Sequence, residues 1–280
     1  MIPGTDRDAT EHARSMQAQD IVSARLVGEF QATFGTLMAP ADAGLAPLAL
    51  HWCLAPDRAP TGDLGPDGHA ASGAFLPDLG LPRRMWAGSA IDFIDPLRLG
   101  DTVSRRSTIA RIERKQGRSG PFALVTVEHD YRTSRGLALR ERQDLVFLAT
   151  GRRETPAQRA CATPHLQWSI SADAPLLFRY SALTFNAHRI HYDLPYARDV
   201  EGLPGLLVHG PLQATILTHL AATLAEVPPR RMTYRATAPL VAGRTFTAAA
   251  RRGGETIECW IADADGVVTM TADFTGGERE

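Results

Sequence analysis

Cysteine is scarce in this chain. The three that occur, Cys53, Cys161 and Cys259, are odd in number, far apart and without CxxC spacing, which excludes a disulfide framework and a zinc knuckle and fits a reducing cytoplasm. Long apolar runs are also missing. Nothing approaches the ~20 apolar residues of a membrane span, and residues 1–20 carry Asp6, Asp8, Glu11 and Asp20 rather than the apolar core of a signal peptide. Neither secretion nor membrane insertion is expected. An excess of one charge is lacking too: 30 basic against 31 acidic residues give a net charge of -1, which speaks against a phosphate-tracking nucleic-acid surface. A local basic patch for a single phosphate group remains open.

What is present is an ordinary globular composition, 280 residues with 44% hydrophobic and 22% charged, enough for one large domain or two small ones. Residues 18–34 read as a helical opening, with Ile21, Leu26, Val27 and Phe30 as its apolar positions. Residues 56–82 are dense in Pro, Gly and Asp and form a long loop of the kind that often carries function. Alternating apolar and polar residues then predict strands over 90–93, 101–109, 122–131 and 141–148, with Gly117-Arg118-Ser119-Gly120 between two of them. The polar stretch 150–164 reads as a connector.

The second half repeats this order. An apolar helix over 211–224 is followed by strands at 232–238, 244–251, 256–262 and 267–274, so the pattern predicts a helix plus an antiparallel sheet, twice, in an α+β chain. Domains are expected over 1–150 and 170–280, with 151–169 between them.

The residues that point to chemistry are Asn186-Ala187-His188-Arg189-Ile190-His191-Tyr192-Asp193, followed by Val208-His209-Gly210-Pro211. This resembles the motif of MaoC-like (R)-specific enoyl-thioester hydratases, in which an Asp precedes a His by five residues and a later His-Gly opens the long central helix of a hot-dog fold. Asn186 stands at the Asp position and His191 at the His position. The run from Phe178 to Asn186, with His51-Trp52, residues 62–69, Phe75-Leu76-Pro77, residues 81–88, residues 96–101 and residues 117–121, is similar to the type 2 hydroxyacyl-thioester dehydratases and to bacterial itaconyl-CoA and mesaconyl-CoA hydratases. The resemblance covers nearly the whole chain.

It implies a double hot-dog fold, two helix-wrapped antiparallel sheets forming a pseudo-dimer in one chain, with a non-catalytic N-terminal half that shapes the acyl pocket. It also implies reversible hydration of a 2-enoyl-CoA, a short branched dicarboxylic one such as mesaconyl-CoA or itaconyl-CoA. Dehydration of longer 3-hydroxyacyl thioesters and silent acyl-thioester binding stand as alternatives. The implied partner is the acyl-CoA substrate, with no nucleic acid and no membrane, no metal or redox cofactor, and a homo-oligomeric assembly.

Hydration needs a base for water, an acid for the α-carbon, and donors for the oxygen of the developing enolate. His191 suits the proton transfer, since an imidazole exchanges protons near neutral pH; the plainer reading is a satisfied structural histidine. Asn186 has donors and an acceptor but no useful basicity, so it would position water or the thioester. Gly210, just before a helix-opening Pro, would offer its N–H and the positive helix end to the thioester carbonyl; an ordinary helix start is the alternative. Arg189 and His188 are candidate substrate-binding residues, Arg189 for a carboxylate or a CoA phosphate unless a salt bridge within the fold claims it. Arg84 and Trp86 are further candidates beside the nucleotide, although a solvated turn explains that segment equally well. His209 reads as a structural helix-start residue, and His51-Trp52 as packing beneath the acyl tunnel.

Overall fold

The computed structural model describes residues 14–73, 75–117, 120–149, 159 and 162–276. Among these, ten strands form one antiparallel sheet: β1 (Ser15–Ile21), β2 (Arg83–Phe93), β3 (Thr102–Gly117), β4 (Gly120–Thr133), β5 (Gly136–Leu148), β6 (Leu166–Ser171), β7 (Pro229–Ala236), β8 (Thr245–Gly253), β9 (Thr256–Ala262) and β10 (Val268–Gly276). The helices are α1 (Ala24–Phe34), α2 (Ala174–Thr184) and α3 (Gly210–Ala225).

The strand order is β1-β3-β4-β5-β2-β7-β10-β9-β8-β6. Counted outward from the central β2–β7 pair, β5, β4, β3 and β1 on one side mirror β10, β9, β8 and β6 on the other. The two halves are related by a pseudo-two-fold at that pair, which joins Gly88 to Arg235 and Asp92 to Arg231. A side chain at Gly88 would stand 2.5 Å from the Tyr234 carbonyl oxygen, so the close crossing at the β2 bulge requires glycine.

Three expectations change. The opening helix over 18–34 is a strand followed by a helix: β1 alternates exposed and half-buried positions against β3, and Ser23, in an extended conformation, accepts the Leu26 N–H at 3.1 Å and so sets a later helix start. The connector expected over 151–169 lies outside the described residues at 151–158, 160 and 161, and its last part is strand, because β6 starts at Leu166 paired to Ala250. The third change concerns symmetry. A long central helix occurs once among the described residues, in the second half.

That helix, α3, has Pro211 in its first turn and eleven consecutive buried residues from Leu212 to Ala222. A helix buried on all sides is one that the sheet wraps. Ala248, Ala250, Ile261, Met270 and Ala272 are fully buried on the strands around it, and the small alanines let helix and sheet approach closely. In the first half the described residues of the corresponding segment, between α1 and β2, hold only short helical turns at Leu50–Cys53 and Thr61–Asp63. Pro56, Pro60, Pro66, Pro77 and Pro82 prevent a long helix over much of it. Among the described residues no helix is long and apolar enough to cross a membrane, and Cys53 and Cys259 are free and buried.

Candidate active site

Helix α2 ends on Phe185 in a left-handed conformation, φ 50°, which turns the chain into the motif. The Asn186 N–H donates to the Ser181 carbonyl at 2.8 Å, and Asn186 Oδ1 accepts the His188 N–H at 2.9 Å. Asn186 borders the cavity, and besides Oδ1 its amide carries a donor NH2.

His191 lies in a turn over Arg189–His191. Its Nδ1 is 2.8 Å from the Leu207 carbonyl oxygen, an acceptor only, so Nδ1 carries the proton and Nε2 the lone pair. Burial lowers its pKa from 6.5 to about 4, which keeps the ring neutral and able to accept a proton at neutral pH. Its flat face stacks on His209 at 3.6 Å. His209 is the residue before α3 and pairs through Nε2 with Ser181 Oγ at 2.8 Å.

The structure adds two residues that the motif did not indicate. The loop 56–82 folds back onto the second half: the Arg189 N–H donates to the Asp67 carbonyl at 2.9 Å, and Gly68, φ 89°, lies where a Cβ would collide with the Ala187 carbonyl oxygen. This docking brings His69 beside the motif. Its Nδ1 is 2.8 Å from Asp67 Oδ2, and its ring lies 4.0 Å from that of His188. His188 in turn meets His191 edge-on at 5.4 Å. Four imidazoles, His69, His188, His191 and His209, thus run in a row from the cavity wall into the core.

Burial holds this row neutral. It lowers His188 to about 2, where a proton on His69 or His191 would disfavour a second one, and lowers His69 against the pull of Asp67. For Asp67, burial pushes the carboxyl up, but the hydrogen bond from His69 and the neighbouring imidazoles outweigh it and hold it well below the usual range. The sequence clue was Asp67-Gly68-His69 inside a loop already marked as functional. Only the fold shows which motif it meets.

Asp67, His69 and His188 have donor atoms within 4.8 Å of one another, the residue types a divalent ion takes. However, two ligands on one tetrahedral zinc, each ~2.0 to 2.1 Å from it, stand about 3.3 Å apart. The 2.8 Å contact between His69 and Asp67 fits a hydrogen bond instead.

The remaining candidates separate clearly. Arg84 and Trp86 border the cavity; burial lowers the Arg84 pKa, opposed by Asp67 and Asp57 beside it. Arg189 does not reach the cavity wall. Its guanidinium bonds Asp193 at 2.8 and 3.0 Å and Pro66 O at 2.9 Å and stacks over Tyr196 at 4.0 Å, so the salt-bridge reading replaces substrate binding: Arg189 ties the loop to the motif. His188 is likewise a packing partner, its N–H and ring both engaged. Arg83 pairs with Glu201 at 2.8 Å. Arg118 and Ser119 lie outside the described residues. Gly210 opens α3, where the first N–H groups have no acceptor within the helix, and its Cα faces Trp86, 3.6 Å from where a Cβ would stand.

The cavity has a volume of about 630 Å3. Exposed Phe178 and Phe185 form its rim; Asn186, His69 and Pro211 lie along its wall; and Trp52, Arg105, Tyr131 and Glu141 on the inner face of the first half close it. His51 is buried against Trp52 at 4.6 Å. Glu141 accepts from Ser89 Oγ at 2.9 Å and from Trp52 Nε1 at 3.2 Å, and burial raises its pKa to about 7.

A pseudo-symmetric sheet wrapping one central helix, with a His-bearing motif at the helix start and the other half hollow, defines a double hot-dog protein. The chain belongs to the family described as hydroxyacyl-thioester dehydratase type 2, whose model matches residues 49–242. It is 42% identical over 235 residues to mesaconyl-C(4)-CoA hydratase of Chloroflexus aurantiacus, covering 83% of this chain and 84% of that protein. In fold it is similar to a MaoC-like dehydratase from Phytophthora capsici, with TM-score 0.69, 14% identity and coverage of 99% and 100%. It is also similar to a Mycobacterium tuberculosis protein described as a double hot-dog fold, with TM-score 0.58, 14% identity and coverage of 94% and 95%.

Proposed function

We propose that the chain is a hydro-lyase that adds water reversibly to a 2-enoyl-CoA, with a short branched dicarboxylic acyl group, such as that of mesaconyl-CoA or itaconyl-CoA, as its substrate. The observation that carries this reading is one cavity that runs from Asn186, in the same motif as the buried His191, to a polar inner wall in the half without a central helix. The relationship to mesaconyl-C(4)-CoA hydratase supports it.

In this reading Asn186 donates to the oxygen of water or of the thioester, and the helix start at Gly210 polarises the carbonyl as charge develops on it. His191 Nε2 takes a proton from water, the hydroxide adds to the β-carbon, and the imidazolium returns a proton to the α-carbon. Atoms and protons balance, and no oxidation level changes. The half spanning 1–150 acts as the acyl-pocket unit and 170–280 as the catalytic unit, in a cytoplasmic homo-oligomer.

The test is loss of enoyl-thioester ultraviolet absorbance with crotonyl-, mesaconyl-, itaconyl- and longer enoyl-CoA, using wild type and His191→Ala in parallel. We expect the dicarboxylic thioesters to react fastest and His191→Ala to be inactive. Binding without absorbance loss would favour a silent acyl-thioester binding protein, and preference for long acyl chains would favour a fatty-acyl dehydratase. One observation supports a variant of the mechanism: His69, oriented by Asp67 in the manner of a catalytic base, borders the cavity directly. His69→Ala assayed beside His191→Ala decides which imidazole carries the proton.

A further inference from the structure

On β3 the residues Val103, Arg105 and Ser107 share one face, and Val103 and Ser107 are fully buried. Arg105 therefore projects to the interior between them, opposite Tyr131 on β4, and borders the cavity. Its Nε is buried with no hydrogen-bond partner, and its guanidinium forms no ion pair with any carboxylate among the described residues. A cation turned inward without a counter-charge is costly unless a bound anion supplies one. Tyr131 shares a hydrogen bond with Arg105 and Glu141 feels its charge, but neither forms an ion pair with it. His129, on the same wall, is neutral at ordinary pH, with burial holding it at about 4. Glu141 is taken by Ser89 and Trp52, and its pKa of about 7 leaves it partly protonated at neutral pH. Arg84, the other cavity arginine, already has Asp67 and Asp57 beside it.

We infer that Arg105 is the binding site for a carboxylate at the far end of the acyl group, the residue that selects dicarboxylic over monocarboxylic CoA thioesters. The planar guanidinium fork matches a carboxylate in two-point geometry. Its place on the inner wall of the first half, with the motif at the other side of the same cavity, suits a substrate charged at the end opposite the thioester. The inference rests on the proposal that the cavity takes acyl-CoA.

The test uses two four-carbon thioesters that cannot be hydrated, succinyl-CoA and butyryl-CoA, titrated by calorimetry into wild type, Arg105→Met and Arg105→Lys. Wild type should prefer succinyl-CoA by roughly 10- to 100-fold, the ratio expected of one charge-assisted hydrogen-bond pair. Arg105→Met should lose that preference with butyryl-CoA affinity unchanged, which also shows an intact fold, and Arg105→Lys should keep part of it. Arg105→Gln repeats the comparison should the Met variant not fold. Preference retained without the arginine, or absent from wild type, overturns the inference. Failure of both thioesters to bind overturns it together with the acyl-CoA reading, whereas a clear succinyl-CoA preference without hydration removes only the hydratase reading.

Discussion

The two halves of this molecule share a ladder and differ in what they enclose. In the second half the inner faces of β8 to β10 present residues such as Ala248, Ile261 and Met270 to α3, all fully buried. In the first half the matching faces present Arg105, Ser107, His129, Glu141 and Gln143, with Ser107 Oγ 2.7 Å from His129 Nδ1. One interior is stabilised by apolar area withdrawn from water, about 25 cal/mol per Å2; the other pairs Ser107 with His129 and Glu141 with Ser89 and Trp52 and leaves Arg105 Nε without a hydrogen bond. Omitting one helix from a symmetric pair leaves a cavity and gives it polar walls. The site arises where the start of the retained helix faces the space left by the missing one.

The sharpest way to break this comparison is at the motif. His191→Ala should lower hydration by about 10^2- to 10^4-fold, the usual worth of a general acid–base group, with the protein still folded; near-normal turnover would move catalysis elsewhere, to His69 first. Next comes packing. Leu217→Ala in α3 should cost about 2 to 5 kcal/mol in urea denaturation, while Gln143→Ala, already bordering open space, should cost less than about 1 kcal/mol. Equal costs would show that the halves are packed alike.

Titration gives a smaller, graded effect. Burial holds His51 at about 3 and His129, His191 and His219 at about 4, below the ordinary 6.5. The unfolded chain therefore binds more protons between those values, and stability is complete above pH 6.5 and falls as pH drops from 6.5 towards 4. Glu141, raised to about 7, acts in the opposite sense: its contribution is complete below the ordinary 4.5 and lost as pH rises through 7. The histidines outnumber it, so the melting temperature should climb from pH 4 to 6.5, and Glu141→Gln should gain on wild type above pH 7. A flat profile would mean that these side chains are solvated.

The smallest change expected is Asn186→Asp. A carboxylate beside His191 favours its protonated form, so the acid limb of kcat/KM should move to higher pH. An unmoved limb would show that His191 is not the titrating group or that residue 186 does not sense it.

Much of this was legible along the chain. Period-two alternation located eight of the strands to within a few residues in most cases, because a half-buried sheet writes its pattern directly. The start of β2, the end of β3 and the start of β5 fell well short, and β1, β6 and α2 were missed altogether. At β1, an apolar pattern of mixed spacing continued across the Ser23 cap and concealed a strand next to a helix. Asn186, Arg84 and Trp86 border the cavity, whereas His191 and Gly210 lie behind its lining residues, Gly210 next to the lining Pro211. Arg189 shows the limit of such reading, since a guanidinium beside a motif suits a phosphate and an internal carboxylate equally, and Asp193, four residues on, is the nearer partner.

The sequence by itself determined the family motif, most of the sheet, the apolar helix over 211–224, and the Asn in place of an Asp, because all of these are local or periodic. Tertiary structure alone decided that Asp67 and His69 meet His188, that α3 has no counterpart among the described residues of the first half, and that Arg105 turns inward with no carboxylate paired to it. Those facts depend on contacts between residues 119 and 121 positions apart in the chain or on a space left unfilled. Neither chain-distant contact nor empty volume has a local pattern to read.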